Sequence, residues 1–296
     1  MFNSIVGNDR IKDALINSIK INKISHSYLF VGTEGIGKSL IAKEFAKMIL
    51  CTDENKYCDK CKSCVEFDTD NNPDFKIIEP EGNSLKIEQI REFQSRVAEK
   101  PIISEKKVYI INDSDKMTQE AQNCLLKTLE EPPEYVVIIL IGSNENAFLS
   151  TIKSRCMILH FDKISNEEIK KYLEENYQVK IDSQIMIDAF QGSIGKALQL
   201  KEKQEEYEKI EDVIYNLEKR DKIDILNMSE IIYKSKDEKL EILDYMNVVF
   251  IDLAKKSSKY AKCINIVEET KRRLQSNANY DMCIDNMLFN LWEEVN

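Results

Sequence analysis

Residues 28–45 read YLFVGTEGIGKSLIAKEF, and this stretch decides the fold. Tyr28, Leu29, Phe30 and Val31 form an uninterrupted apolar run, which predicts a strand buried on both faces. Gly32-Thr33-Glu34-Gly35-Ile36-Gly37-Lys38-Ser39 follows and satisfies G-x-x-x-x-G-K-[ST] in full. Beyond it Leu40, Ile41, Ala42, Phe45, Ala46, Ile49 and Leu50 recur at helical spacing. Strand, glycine-rich loop and helix, in that order, are the context in which the motif acts as a phosphate loop. Gly32, Gly35 and Gly37 let backbone N–H groups converge on phosphate oxygens, and the helix N-terminus adds a partial positive charge. Lys38 is placed to reach β- and γ-phosphates, and the Ser39 hydroxyl to help hold Mg2+. ATP or ADP with Mg2+ is the ligand this pattern predicts. Whether it is turned over depends on residues elsewhere.

Working outward, residues 3–24 predict one helix with Ile11, Leu15, Ile16 and Ile19 on a single face. Further apolar runs at 108–111 and 136–141 read as buried strands, 75–78 looks like a short strand, and the apolar run 156–161 follows them. They alternate with helical patterns over 88–98 and 118–130, the second stopped by Pro132-Pro133, and with a short helix before Cys156. That alternation predicts an α/β domain, a parallel sheet with helices on both faces. After Phe161 the strand signal ends. Ser165 and Glu168 form a capping box, and helical patterns cover 182–190, 195–218, 222–234, 236–257, 260–275 and 280–294. The expected division is a nucleotide-binding domain over 1–163, a small helical lid over 164–205 and an all-helical domain over 206–296.

The net charge of −10 argues against a broad basic face coating DNA unaided. No apolar run approaches the ~18 residues of a membrane span, and the N-terminus lacks a signal-peptide core. A cytoplasmic protein with no membrane partner is expected.

Cys51, Cys58, Cys61 and Cys64 make a C-x6-C-x2-C-x2-C array. Four thiolates so spaced suit a tetrahedral structural Zn2+, whose closed shell leaves no position for a reacting water. Free thiols, disulfides, which a cytoplasmic setting disfavours, and an iron–sulfur cluster are the alternatives. Cys124, Cys156, Cys263 and Cys283 are scattered and read as core residues.

The hydrolytic residues are altered. A phosphate-loop ATPase carries an Asp for Mg2+ after its Val108–Ile111-type strand, and many carry a Glu beside it to polarise water. Here those positions are Asn112 and Asp113. An amide brings no charge to offset the cation, and Asp113 is one methylene short. The pair predicts weak or absent hydrolysis; capping of the strand end is the plainer alternative.

These features, with Ser25-His26-Ser27, Asn72-Pro73-Asp74, the 121–133 run AQNCLLKTLEEPP, Ser154-Arg155-Cys156 and Gly192-Ser193-Ile194-Gly195-Lys196-Ala197-Leu198, resemble the clamp-loader subunits of bacterial DNA polymerase III. That family lies in the AAA+ superfamily, and the likeness, over about residues 5–200, is to its delta-prime type. The resemblance implies an accessory subunit with no polymerase active site. It would work with gamma/tau and delta subunits in a hetero-pentamer that loads a sliding clamp onto primed DNA. It implies that Arg155 acts in trans as an arginine finger at a neighbour's ATP, and that Ser143 and Asn144 stand where a γ-phosphate sensor is found. Gly195 replaces a second, arginine sensor, with Lys196 beside it. The alternative is a gamma/tau-type motor with its own hydrolysis. Within the helical C-terminal region Ile242, Tyr245, Met246, Val249 and Leu253 form a stripe that suits either a subunit interface or a core.

Overall fold

Strands Ser27–Val31 (β1), Phe75–Ile78 (β2), Lys107–Ile111 (β3), Val136–Gly142 (β4) and Met157–His160 (β5) form one sheet. Its order is β2-β3-β4-β1-β5, and every pairing is parallel. The computed structural model describes residues 2, 5–181, 183–219, 221, 232–233, 239–276 and 278–296. The helix predicted over 222–234 therefore falls outside the described residues, apart from 232–233.

Two-residue side-chain periodicity builds a core on each face of the sheet. Tyr28, Phe30, Val108, Ile110, Val137 and Ile139 point to one face, against Leu15 of helix α1 (Asp9–Lys20) and Ile41, Phe45 and Ile49 of α2 (Lys38–Leu50). The alternate residues, including Leu29, Ile111, Ile138 and Leu140, point to the other face. Helix α3 (Lys62–Asp68) lies in the cysteine-bearing insert. Helices α4 (Ile87–Val97), α5 (Gln119–Glu130) and α6 (Ser150–Lys153) cover the second face through Ile90, Phe93, Leu125 and Ile152. Complete burial of side chains such as Phe30 and Phe45 contributes about 2–3 kcal/mol each.

Three elements depart from the sequence reading. Helix α1 starts at Asp9, not residue 3, because Gly7 and Asn8 take left-handed backbone (φ 74 and 56). Phe2 and Ile5 are freed from the helix and pack into the core. The insert contains α3, where the Cys61 sulfur caps the helix by accepting from the Cys64 N–H. The helix predicted over 195–218 breaks at Lys203 into 194–202 and 204–215. The Ser165–Glu168 capping box forms in both directions.

The described chain divides into two compact units, Met1–Tyr172 with Gly192–Gly195, and Leu173–Gln191 with Lys196–Asn296. The second is helical. Its helix 239–256 packs on 184–189, 204–215 and 261–275, and Ile242, Tyr245, Met246, Val249 and Leu253 are all buried there. The stripe is that unit's own core. Among the described residues no helix is long and apolar enough to cross a membrane.

Candidate functional site

The phosphate loop leaves the carboxyl end of β1. Gly35 and Gly37 sit at φ +73 and +93, a backbone that other residues enter only with strain, and Gly37 is the N-cap of α2. Lys38 is only 7% exposed, and its ammonium donates to the carbonyls of Gly32 (2.6 Å) and Thr33 (2.8 Å). Burial lowers the Lys38 pKa, while Glu34, Asp115 and Asp113 oppose that by favouring the charged form. An anionic ligand would add to the carbonyls and acids that offset the cost of burying the Lys38 charge.

Parallel pairing brings the ends of β3 and β4 alongside. The Ser39 hydroxyl donates to Asn112 Oδ1 at 3.1 Å, so the predicted metal-holding pair is in contact. Asp113 is left-handed (φ 45) and forms an ion pair with Lys116 at 2.8 Å. Asp115, which the sequence reading passed over, organises the next loop. Its Oδ2 accepts from Ser143 N (3.0 Å), Ser143 Oγ (2.8 Å) and Asn144 N (2.9 Å). The signal was the density of polar groups in Asn112-Asp113-Ser114-Asp115, of which only the first two were assigned.

Gly195 also meets the loop. Its N–H donates to Gly35 O at 3.1 Å, and a Cβ at residue 195 would lie 3.0 Å from Gly35 Cα. A sensor arginine at this position would require the phosphate-loop backbone to give by a few tenths of an ångström. The Lys196 ammonium is bonded to Gln191 Oε1 at 2.6 Å.

Arg155 stands apart from this group. It precedes Met157, which pairs with Tyr28 at the start of β1, whereas the phosphate loop follows Val31, which pairs with His160 at the other end. Arg155 and the loop lie at opposite ends of the neighbouring strands β1 and β5, separated by a strand length of roughly 15 Å. Arg155 donates to Glu130 Oε1 at 2.6 Å and to the Thr151 carbonyl at 3.0 Å.

The four cysteines converge at a third place. Their sulfurs all lie within 4.8 Å of one another, with Cys51 3.6 Å from Cys58 and 3.9 Å from Cys61. Sulfurs about 2.3 Å from a tetrahedral zinc are about 3.8 Å apart, so the donor set fits that ion. Burial works against a Cys61 thiolate, but hydrogen bonds from Thr52 and Cys64 outweigh it and bring its pKa down to about 6. Burial and the neighbouring sulfurs push Cys64 up, the conflict a cation would relieve. The module is fastened to the domain by polar contacts. Lys47 of α2 lies 2.6 Å from Asp59 and 2.8 Å from Asp68, and Asn72 donates to Ser63 O and Oγ, both at 2.9 Å. Asp74 accepts from the consecutive amides of Ile102, Ile103 and Ser104 at 2.7–2.8 Å. The Asn72-Pro73-Asp74 motif thus serves as the module's buttress.

A phosphate loop hung from β1 of a 2-3-4-1-5 parallel sheet, with polar residues gathered at the carboxyl ends of β3 and β4, defines a nucleotide-binding domain of the AAA+ kind. The chain belongs to the family described as DNA polymerase III, delta subunit, whose model matches residues 7–165. It is similar to DNA polymerase III subunit delta' of Bacillus subtilis, 37% identical over 167 residues, covering 56% of this chain and 51% of the relative. It is also similar to subunit tau/gamma of Haemophilus influenzae, 35% identical over 207 residues, covering 67% of this chain and 30% of the relative. The chain thus spans about a third to a half of these curated relatives. A DNA polymerase III, gamma subunit-related protein of Thermotoga maritima has the same fold, with TM-score 0.54 at 18% identity over 95% of this chain and 99% of that one. These findings bear out the resemblance to clamp-loader subunits of the AAA+ superfamily.

Proposed function

We propose that this chain is a delta-prime-type clamp-loader subunit. It associates with gamma/tau- and delta-type subunits in a cytoplasmic hetero-pentamer that uses ATP to place a sliding clamp on primed DNA. Within it, residues 1–163 form the AAA+ domain, 164–205 a lid and 206–296 the collar through which subunits associate. Gly32, Gly35, Gly37, Lys38 and Ser39 cradle ATP or ADP with Mg2+, and Cys51, Cys58, Cys61 and Cys64 hold a structural Zn2+. Asn112, Asp113, Ser143 and Asn144 surround the nucleotide without supplying a competent metal-and-base pair, so the chain itself turns over little or no ATP. Its contribution to catalysis is Arg155, at a neighbour's γ-phosphate.

The observation that carries this reading is the placement of Arg155 at the strand ends opposite those that carry the chain's own phosphate loop. A planar, permanently charged guanidinium there can serve another subunit's nucleotide but not its own. Two measurements test it together. The purified chain should release phosphate from ATP at a negligible rate, and motor-like turnover would favour the gamma/tau-type alternative. Arg155→Ala should assemble normally with gamma/tau- and delta-type subunits and lower the DNA-stimulated ATPase by about tenfold or more at the affected site. Unchanged activity would remove the finger.

A further inference from the structure

We propose that Glu130 is a latch for Arg155: its carboxylate holds the guanidinium in the unassembled chain, and a neighbour's phosphate oxygens replace it on assembly. This rests on the reading of Arg155 as a finger acting in trans. The guanidinium is held on the chain's own surface through both of its Nη atoms. Nη2 donates to Glu130 Oε1 at 2.6 Å, and Nη1 to the Thr151 carbonyl and, at 3.2 Å, to Ser154 Oγ. Two of these acceptors are neutral and belong to α6 and the turn that follows it, next to Arg155 in sequence, so they fix where the side chain stands. Glu130 differs in belonging to another element and in being charged.

Its position on that element matters. Glu130 is the last residue of α5, where a carboxylate faces the negative end of the helix dipole and is disfavoured unless a cation is near. Arg155 supplies that cation. A carboxylate and a phosphate offer guanidinium the same fork of anionic oxygens, so one can take the other's place with little rearrangement. A guanidinium already neutralised by a carboxylate stabilises the developing charge on a phosphoryl group less well, which makes the two partners competitors. The exchange is an easy one. The side chains of Arg155 and Glu130 are 32% and 51% exposed, and ion pairs so open to water are weak.

The latch predicts that Glu130→Gln, which keeps the shape and removes the charge, helps the neighbour's site. In the loader reconstituted with gamma/tau- and delta-type subunits and primed DNA, the half-saturating ATP concentration should fall about two- to fivefold, the range that loss of an exposed ion pair allows. The same change in an Arg155→Ala background should have no effect, because the two residues act as one unit. In the isolated chain, phenylglyoxal should label Arg155 faster in Glu130→Gln than in the wild type, as read by peptide mass spectrometry. If Arg155→Ala lowers turnover while Glu130→Gln leaves ATP dependence unchanged or raises the half-saturating concentration, the latch is wrong and the finger stands. Equal labelling rates also overturn the latch. If Arg155→Ala has no effect on turnover, the finger falls and the latch with it.

Discussion

The Gly195 N–H is bonded to the Gly35 carbonyl at 3.1 Å, which fastens the turn opening helix 194–202 to the phosphate loop. Gly35 needs glycine for its positive φ (+73) as well as for this close approach, and Gly195 for the close approach alone. Each leaves the space that the other's backbone fills, and Ser193, fully buried, closes the gap beside them.

Gly35→Ala should therefore disturb more than a loop tip. A Cβ there would sit 2.3 Å from Ser193 Oγ, on a backbone at φ +73. Left-handed backbone alone costs alanine about 1–2 kcal/mol, and the clash adds to it. Urea denaturation should show a loss of about 2 kcal/mol or more, with calorimetric ADP binding weakened in parallel. Gly82→Ala is the control, since Gly82 shares a positive φ (+77) but has nothing within 4 Å of its would-be Cβ. Equal losses in the two variants would show that the contact with Ser193 is unimportant.

Asn112→Asp places a carboxylate next to the Ser39 hydroxyl, where a Mg2+ ion bound with nucleotide would be shared. The effect should change sign with the metal. With Mg2+ present, a fluorescent ATP analogue should bind about tenfold more tightly than to the wild type, about 1.4 kcal/mol of added cation affinity. In chelator the variant should bind more weakly, because the new charge then faces phosphate directly. A shift in the same direction under both conditions would place Asn112 away from the metal.

Metal removal should act locally. The purified chain should hold a single zinc ion by elemental analysis, and Cys64→Ser should lose it. Chelation should open residues 51–72 to protease while the sheet persists, because the two cores are built from residues outside the insert apart from edge packing by Tyr57 and Phe67. Global unfolding on chelation would contradict that division of labour.

The parts of this molecule readable in sequence were those with a short repeat or a strict local chemistry. Unbroken apolar runs such as Val136–Ile141 mark strands buried on both faces, and the glycine spacing at 32–37 admits one use. The four cysteines were legible because thiolates at that spacing can share an ion. What escaped depended on groups far apart in the chain. Asp115 becomes meaningful only when parallel pairing brings the loop at 143–144 beside it. Glu130 looks like one more surface acid until Arg155, 25 residues on, meets it. The start of α1 was misjudged because Asn8 is a plausible helix residue by pattern, yet its side chain is held by the Asp162 backbone, accepting at 2.8 Å and donating at 3.2 Å.

The parallel register of β1 and β5 works as a ruler. One end carries the phosphate loop, the other Arg155. In any ring where each subunit's finger meets the next one's pocket, strand length enters the step from pocket to pocket. Two extra residues in a strand would change that step by about 7 Å, more than a side chain can absorb. A change of side chain at Asn112 leaves that spacing alone, while a change in the length of β1 or β5 does not.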